Sequence, residues 1–170
     1  MKNIFLILLI LLVTSCTFKE EIKTENATVK EIIDGDTYLV DINGTEEKVR
    51  ILGVDYPDVT KSRMKNFLDL NITEIRIKEC YKKGKIELQN NLVGKKVILK
   101  KDPKESNRDK YKRLLRYVEI NNTDVETWLL KNGYARFYDP NKELCSKCID
   151  YYILYENVST SKTGCLWSES

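Results

Sequence analysis

The sequence predicts an α+β domain built on a small five-stranded Greek-key barrel with about three helices. Three observations point there. Strand-like runs separated by hairpin turn residues fill the first half of the chain. Helical patterns are interleaved with further strands in the second half, and the order never settles into the β-α-β rhythm of a parallel sheet. A chain of 170 residues suits one such domain. No internal repeat or low-complexity tract marks a second.

Residues 1–15 stand outside that domain. The stretch "MKNIFLILLILLVTSC" carries a lysine, an apolar run over residues 4–13, and small polar residues ending in Cys16. Such a run is short for a spanning helix and has the form of an export signal. "VTSC" resembles the lipobox of bacterial lipoproteins, which implies lipidation of Cys16 and anchorage to a bacterial membrane, on its outer face or periplasmic side. Simple secretion is the alternative. Residues 16–26 are charged and aperiodic and read as a tether, so the folded domain is expected over residues 27–170.

Within the domain, "ATVKEIID" and "DTYLVDIN" flank a turn at Gly35. "EEKVRILGVD" follows "NGT", a strong hairpin signal, so the first three strands form a meander. Residues 56–78 show little regular pattern and read as a long excursion with one helical turn near residues 63–70. "GKIELQNNLVG" sets Ile86, Leu88 and Leu92 on one helical face, ended by Gly94. "KKVILKKD" and "RLLRYVEI" are two more strands, joined by a polar loop. "TDVETWLLKNG" is a short helix with Thr123 as N-cap and Gly133 as terminator. "NKELCSKCIDYYILYENVST" is the last amphipathic helix, before a tail holding Trp167.

An exported chain makes its cysteines interpretable. Without Cys16, four remain: Cys80, Cys145, Cys148 and Cys165. An even number in an oxidising compartment suggests two disulfides. Cys145 and Cys148 are close enough for a local bridge, which by elimination pairs Cys80 with Cys165. In the chain-entropy model so long a loop is worth about 4 to 5 kcal/mol at most. A four-cysteine zinc site is the rival.

The chain contains no histidine. That excludes Ser-His-Asp and Cys-His catalysis and every zinc site using imidazole. The acidic residues are more informative. In "IIDGDTYLV" and "VRILGVDYPD", Asp36 begins one strand and Asp55 leaves its antiparallel neighbour, so the two share one rim. Facing carboxylates repel or raise a pKa unless a cation intervenes, and oxygen ligands suit Ca²⁺ or Mg²⁺. A bulge at Gly53 would bring Arg50 to the same side. Ordinary turn formation explains these aspartates equally well.

The second half alters that balance. Residues 95–116 hold ten Lys/Arg against three Asp/Glu in a chain whose formal charge is only +3. Basic residues interleaved with Tyr111 suit phosphate contacts and base stacking. A basic loop alone reads as a solvated surface. Beside an acidic rim, it describes phosphodiester chemistry.

Five stretches in this order and spacing carry a resemblance: "IDGDT" at 33–37, "VRILGVDYPD" at 49–58, "DKYKRLLRYV" at 109–118, "LLKNGYARFY" at 129–138 and "GCLW" at 164–167. The chain resembles the thermonuclease, or staphylococcal-nuclease-like, family over nearly all of residues 27–167. The resemblance implies an OB-type barrel and Ca²⁺ held by Asp36, Asp55 and the backbone carbonyl of Tyr56. It gives Arg50 and Arg113 the phosphate, Asp58 the attacking water, and Lys110 and Tyr111 a nucleotide phosphate. It further implies cutting of DNA and RNA with little sequence preference, at the 5′ P–O bond, leaving 3′-phosphate ends. Asp58 stands where the family usually has glutamate, Tyr56 where it has threonine and Lys112 where it has glycine. These departures make a nucleic-acid-binding surface lipoprotein that does not cut the competing expectation. Nothing implies a protein partner, and a monomer is the default.

Overall fold

The structure, a computed structural model, describes residues 23–140 and 145–168. The first strand, β1 (Thr24–Asp34), turns Ala27, Val29 and Ile32 inward. Register shifts between Val29 and Glu31 and between Ile32 and Asp34 bend it, as bulges do. One strand can therefore pair with β5 (Lys96–Lys100) along its first half and with β2 (Thr37–Ile42) along its second. It begins inside the segment expected as a tether. There Glu25 lies opposite Leu99, and its carboxylate meets Arg116 at 3.1 Å, which draws residues 24–26 into the barrel.

Asn43 and Gly44, both at positive φ (53° and 85°), make the two-residue turn into β3 (Thr45–Ile51). β6 (Leu114–Ile120) pairs antiparallel with β5 and parallel with β3. That second pairing closes the five long strands into a barrel, the α+β architecture of OB type expected from the sequence. The short strands β4 (Val54–Asp55) and β8 (Arg136–Phe137) pair with each other at its rim. Tyr38, Val40, Val49 and Leu99 are completely buried in the barrel.

The described residues hold five helices. The long excursion is largely helical: α1 (Lys61–Leu68) occupies its middle, and α2 (Glu74–Leu92) starts well before the expected "GKIELQNNLVG". The Thr73 hydroxyl caps α2 by accepting the N–H of Arg76 at 3.3 Å. Its buried face is Ile77, Cys80, Gly84, Leu88 and Leu92, whereas Ile86 is exposed. Gly84 masks this face in the sequence, yet packing requires a glycine there. A Cβ would come 2.5 Å from the Tyr56 hydroxyl and 3.0 Å from the Tyr134 ring.

Thr123 is not an N-cap. Thr123 and Asp124 form β7 (Thr123–Asp124), which extends the ladder of β6, and Asp124 takes the N-cap position of α3 (Val125–Lys131) without a side-chain bond to the helix backbone. Gly133, at φ 64°, follows the end of α3. The last long helix, α4 (Cys148–Thr160), is followed by α5 (Gly164–Trp167). The expected start of that helix, at residues 141–144, lies outside the described residues.

Two disulfides staple these elements. Cys80–Cys165 joins α2 to α5 across a separation of 85, and Cys145–Cys148 closes the approach to α4. All four cysteines are thereby used, which removes the zinc alternative. Cys16 and the signal over residues 1–15 lie outside the described residues. No helix among the described residues is long and apolar enough to cross a membrane.

Candidate active site

The site lies where the barrel closes. In the β2–β3 ladder Thr37 lies opposite Arg50, and in the parallel β3–β6 pairing Arg50 lies opposite Leu115. Asp36, just before β2, and Arg113, just before β6, therefore flank the same arginine. After Ile51 the strand is interrupted at Leu52 and Gly53. Gly53 takes φ 75°, and the strand resumes as β4. This irregularity puts Asp55 and Arg50 on the same side.

Arg50 is held by the backbone. Its Nη1 donates to the carbonyl of Ile51 at 3.0 Å and its Nη2 to that of Val54 at 2.9 Å. Nη2 also lies 3.2 Å from Oδ2 of Asp36 and 3.9 Å from Oδ1 of Asp55. Asp36 is only 1% exposed, and both of its oxygens have protein partners, with acceptor capacity left over. Its Oδ2 accepts the N–H of Tyr56 at 3.1 Å and its Oδ1 the hydroxyl of Thr37 at 3.0 Å. The Thr37 oxygen in turn accepts from Nη1 of Arg113 at 3.1 Å. The two predicted arginines are thus joined through Asp36 and Thr37.

Arg113 depends on its loop. Asp109 accepts from its Nε at 2.7 Å, its Nη2 at 2.6 Å and its backbone N–H at 3.0 Å. Burial raises the Asp109 carboxyl, but the bonds from Arg113 outweigh this and hold it below the usual range. Lys112 adopts φ 64°, the left-handed conformation that a glycine reaches at least cost. The loop is braced by Arg108, whose guanidinium meets both carboxylate oxygens of Glu47 and the carbonyl of Lys112. Lys110 and exposed Tyr111 stand beside Arg113, with the lysine nitrogen 5.1 Å and the guanidinium 5.4 Å from the tyrosine ring.

The cleft between these parts has a volume of about 590 Å³ and is lined by Arg50, Asp55, Arg108, Lys110, Tyr111 and Arg113, among others. Tyr56 does not crowd it. Its ring is buried beneath Gly35, where a Cβ would overlap it, and its hydroxyl donates to the carbonyl of Tyr81 at 2.6 Å. Asp58 lies outside the lining, and its Oδ1 accepts the N–H of Thr60 at 2.7 Å. It still acts on the rim. Burial, the Asp36 carboxylate and, more weakly, Asp58 push the Asp34 carboxyl up to about 6, against the opposing N–H of Gly35.

Three partners in this site were not singled out from the sequence: Thr37, Asp109 and Arg136. Spacing offered a signal for Asp109, four residues before Arg113. Arg136 gave none. It reaches Asp55 only because β4 and β8 pair, with Nε at 2.9 Å and Nη2 at 2.8 Å from Oδ2.

The donor set fits a hard cation in part. Oxygen atoms of Asp36 and Asp55 both approach one nitrogen of Arg50, so the two carboxylates lie side by side and a cation would sit next to that guanidinium rather than in its place. No group of three metal-binding side chains occurs among the described residues. A cation would complete its shell with backbone carbonyls and water.

The profile of the staphylococcal nuclease homologue family matches residues 48–169. The chain is 39% identical over 125 residues to the uncharacterized protein MJ1439 of Methanocaldococcus jannaschii, covering 68% of this chain and 60% of that one. It is 35% identical over 155 residues to endonuclease YncB of Bacillus subtilis, covering 89% and 66%. To the thermonuclease of Staphylococcus intermedius it is 32% identical over 123 residues, covering 71% and 66%. The matches thus span about 60–66% of the length of these relatives.

Proposed function

Because the chain belongs to the staphylococcal nuclease homologue family, we propose that it is a divalent-metal-dependent phosphodiesterase. Its substrates are DNA, RNA or both, its metal is Ca²⁺, and it breaks the 5′ P–O bond to leave 3′-phosphate ends. The observation that carries this reading is the pair of guanidiniums, Arg50 and Arg113, joined through Asp36 and Thr37 at one cleft. Two relatives bear the names endonuclease and thermonuclease.

Asp36, Asp55 and the carbonyl of Tyr56 would hold the cation. Bound there, it would supply charge against the phosphate and a more acidic water. Arg50 and Arg113 bind the phosphate oxygens, and they bind more strongly as charge accumulates on them in the transition state. Lys110 and Tyr111 hold the flanking nucleotide by charge and stacking. Asp58 takes the proton of the attacking water in this scheme. Its side chain is one methylene shorter than glutamate, and a misplacement of about 1 Å can cost ~10²-fold. Cys16, if lipidated, would keep this activity at a membrane surface.

The test is hydrolysis of single-stranded DNA by the purified protein, with Ca²⁺ and with chelator, followed by analysis of the ends. Metal-dependent cutting with 3′-phosphate ends is the expected result. Tight, salt-sensitive binding without cutting would instead identify a nucleic-acid-binding surface protein. The placement of Asp58, outside the cleft lining with its Oδ1 accepting the N–H of Thr60, favours that second reading.

A further inference from the structure

We propose that Arg136 is a positioning residue of this site: it clamps one oxygen of Asp55 and thereby selects the other for the cation. The proposal rests on the metal-dependent reading above. Nε and Nη2 of Arg136 both donate to Oδ2 of Asp55, at 2.9 and 2.8 Å. Oδ1 is the oxygen turned toward Arg50, whose Nη2 lies 3.9 Å from it and 3.2 Å from Oδ2 of Asp36. With Oδ2 taken by Arg136, Oδ1 is the Asp55 oxygen left for a cation lying beside the Arg50 guanidinium, next to Oδ2 of Asp36.

The clamp is itself held. The Arg136 guanidinium lies 5.3 Å from the centre of the Phe67 ring and 5.7 Å from that of Tyr138. Asp55 and Arg136 are direct cross-strand partners in the β4–β8 ladder. Phe67 is 1% exposed and belongs to α1, so the helix of the excursion after Pro57 braces the site from outside the barrel. A planar fork lying against two rings loses less freedom on pairing than a lysine would.

Charge and orientation predict opposite signs, which makes the idea decidable. A guanidinium beside Asp55 repels a divalent cation, so charge alone says that its removal tightens metal binding. A side chain that orients a metal ligand by hydrogen bonding typically contributes about 10–100-fold to affinity, so its loss weakens binding by roughly tenfold or more. The experiment is isothermal titration of Ca²⁺ into the full chain without nucleic acid, for the unaltered protein, Arg136→Ala and Arg136→Lys. Thermal melts of each establish folding. The expected result is roughly tenfold weaker Ca²⁺ binding in both variants, since lysine keeps the charge but lacks the two-donor fork.

Unchanged or tighter binding by folded Arg136→Ala overturns the proposal. Where that variant does not fold, Arg136→Lys decides alone, and an affinity equal to that of the unaltered protein overturns it. Absence of Ca²⁺ binding in the unaltered protein sinks the metal reading itself, and this inference with it, before any variant is compared.

Discussion

Arg50 and Arg113 face the same cleft but are held in opposite ways. Arg50 sits on β3 with its side chain 12% exposed, and backbone carbonyls of Ile51 and Val54 take its donors. Arg113 precedes β6 and takes its direction from side chains, Asp109 and Thr37. Its loop is braced in turn by an exposed pair, Arg108 with Glu47. A guanidinium satisfied by main-chain oxygens is oriented by the fold itself. One satisfied by side chains is oriented by a sequence of replaceable contacts, of which the outermost, Arg108 with Glu47, is the most open to water and salt. The rim is therefore the rigid half of the site and the loop the tunable half.

The largest expected effect is at the rim. Arg50→Ala should lower turnover by about 10²- to 10³-fold, the scale of losing one preorganised donor to developing charge. It should also destabilise the fold by roughly 3 kcal/mol or more, because buried Asp36 loses its counter-charge. Steady-state hydrolysis and thermal melts measure the two. Near-normal turnover would erase the asymmetry between the two arginines.

Asp109→Ala should act through the loop, releasing Arg113 and the backbone N–H of Tyr111 that the same carboxylate accepts. We expect a fall in kcat/KM of roughly tenfold, about 1.4 kcal/mol, with a melting temperature close to normal. A loss as large as that of Arg113→Ala would mean that the loop has no orientation without Asp109. A loss of stability comparable to that of Arg50→Ala would place Asp109 with the rim.

Glu126 tests the buried side of the comparison away from the cleft. It is fully buried, its Oε1 accepts the N–H of Val118, and its Oε2 has no hydrogen-bond partner among the described residues. Burial, and then the nearby Asp124 carboxylate, raise its carboxyl well above the ordinary 4.5. The folded chain thus keeps a proton that the unfolded chain releases above that value, so stability falls as pH rises from about 4.5 through the folded pKa. Glu126→Gln should remove this slope and raise stability near pH 8 by roughly 1–3 kcal/mol, read from melts across pH. An unchanged slope would assign the pH dependence elsewhere.

The smallest effect belongs to the outer brace. Arg108→Gln should cost only about 0.2–1 kcal/mol of stability. It should lower activity modestly, and high salt should reproduce the change in the unaltered protein. A salt-insensitive, large loss would show that this pair is part of the rigid half.

Much of the fold was legible in the sequence, for local reasons. The meander was visible because Gly35 and Asn43-Gly44 mark turns and the strands between them alternate. The full extent of α2 was not, since Gly84 interrupts its apolar face and Ile86 imitates a core position. Only the approach of Tyr56 and Tyr134 explains a glycine inside that helix. Thr123 misled for a similar reason: its backbone is claimed by the β6–β7 ladder before the helix begins. At the site, Arg50, Asp36, Asp55 and Arg113 could be nominated from motif and charge. Arg136 could not, because its partner Asp55 lies 81 residues away.

By itself, the sequence determined the turns, the strand runs, the absence of histidine and the concentration of base in one loop. Each is a property of residues a few positions apart, and steric and hydrogen-bonding preferences act at that range. Tertiary structure alone decided that β3 and β6 close in parallel, that Thr37 meets Arg113 across 76 residues, and which oxygen of Asp55 is taken by Arg136. Those outcomes depend on register between strands distant in the chain. A shift of one residue there would turn every side chain to the other face.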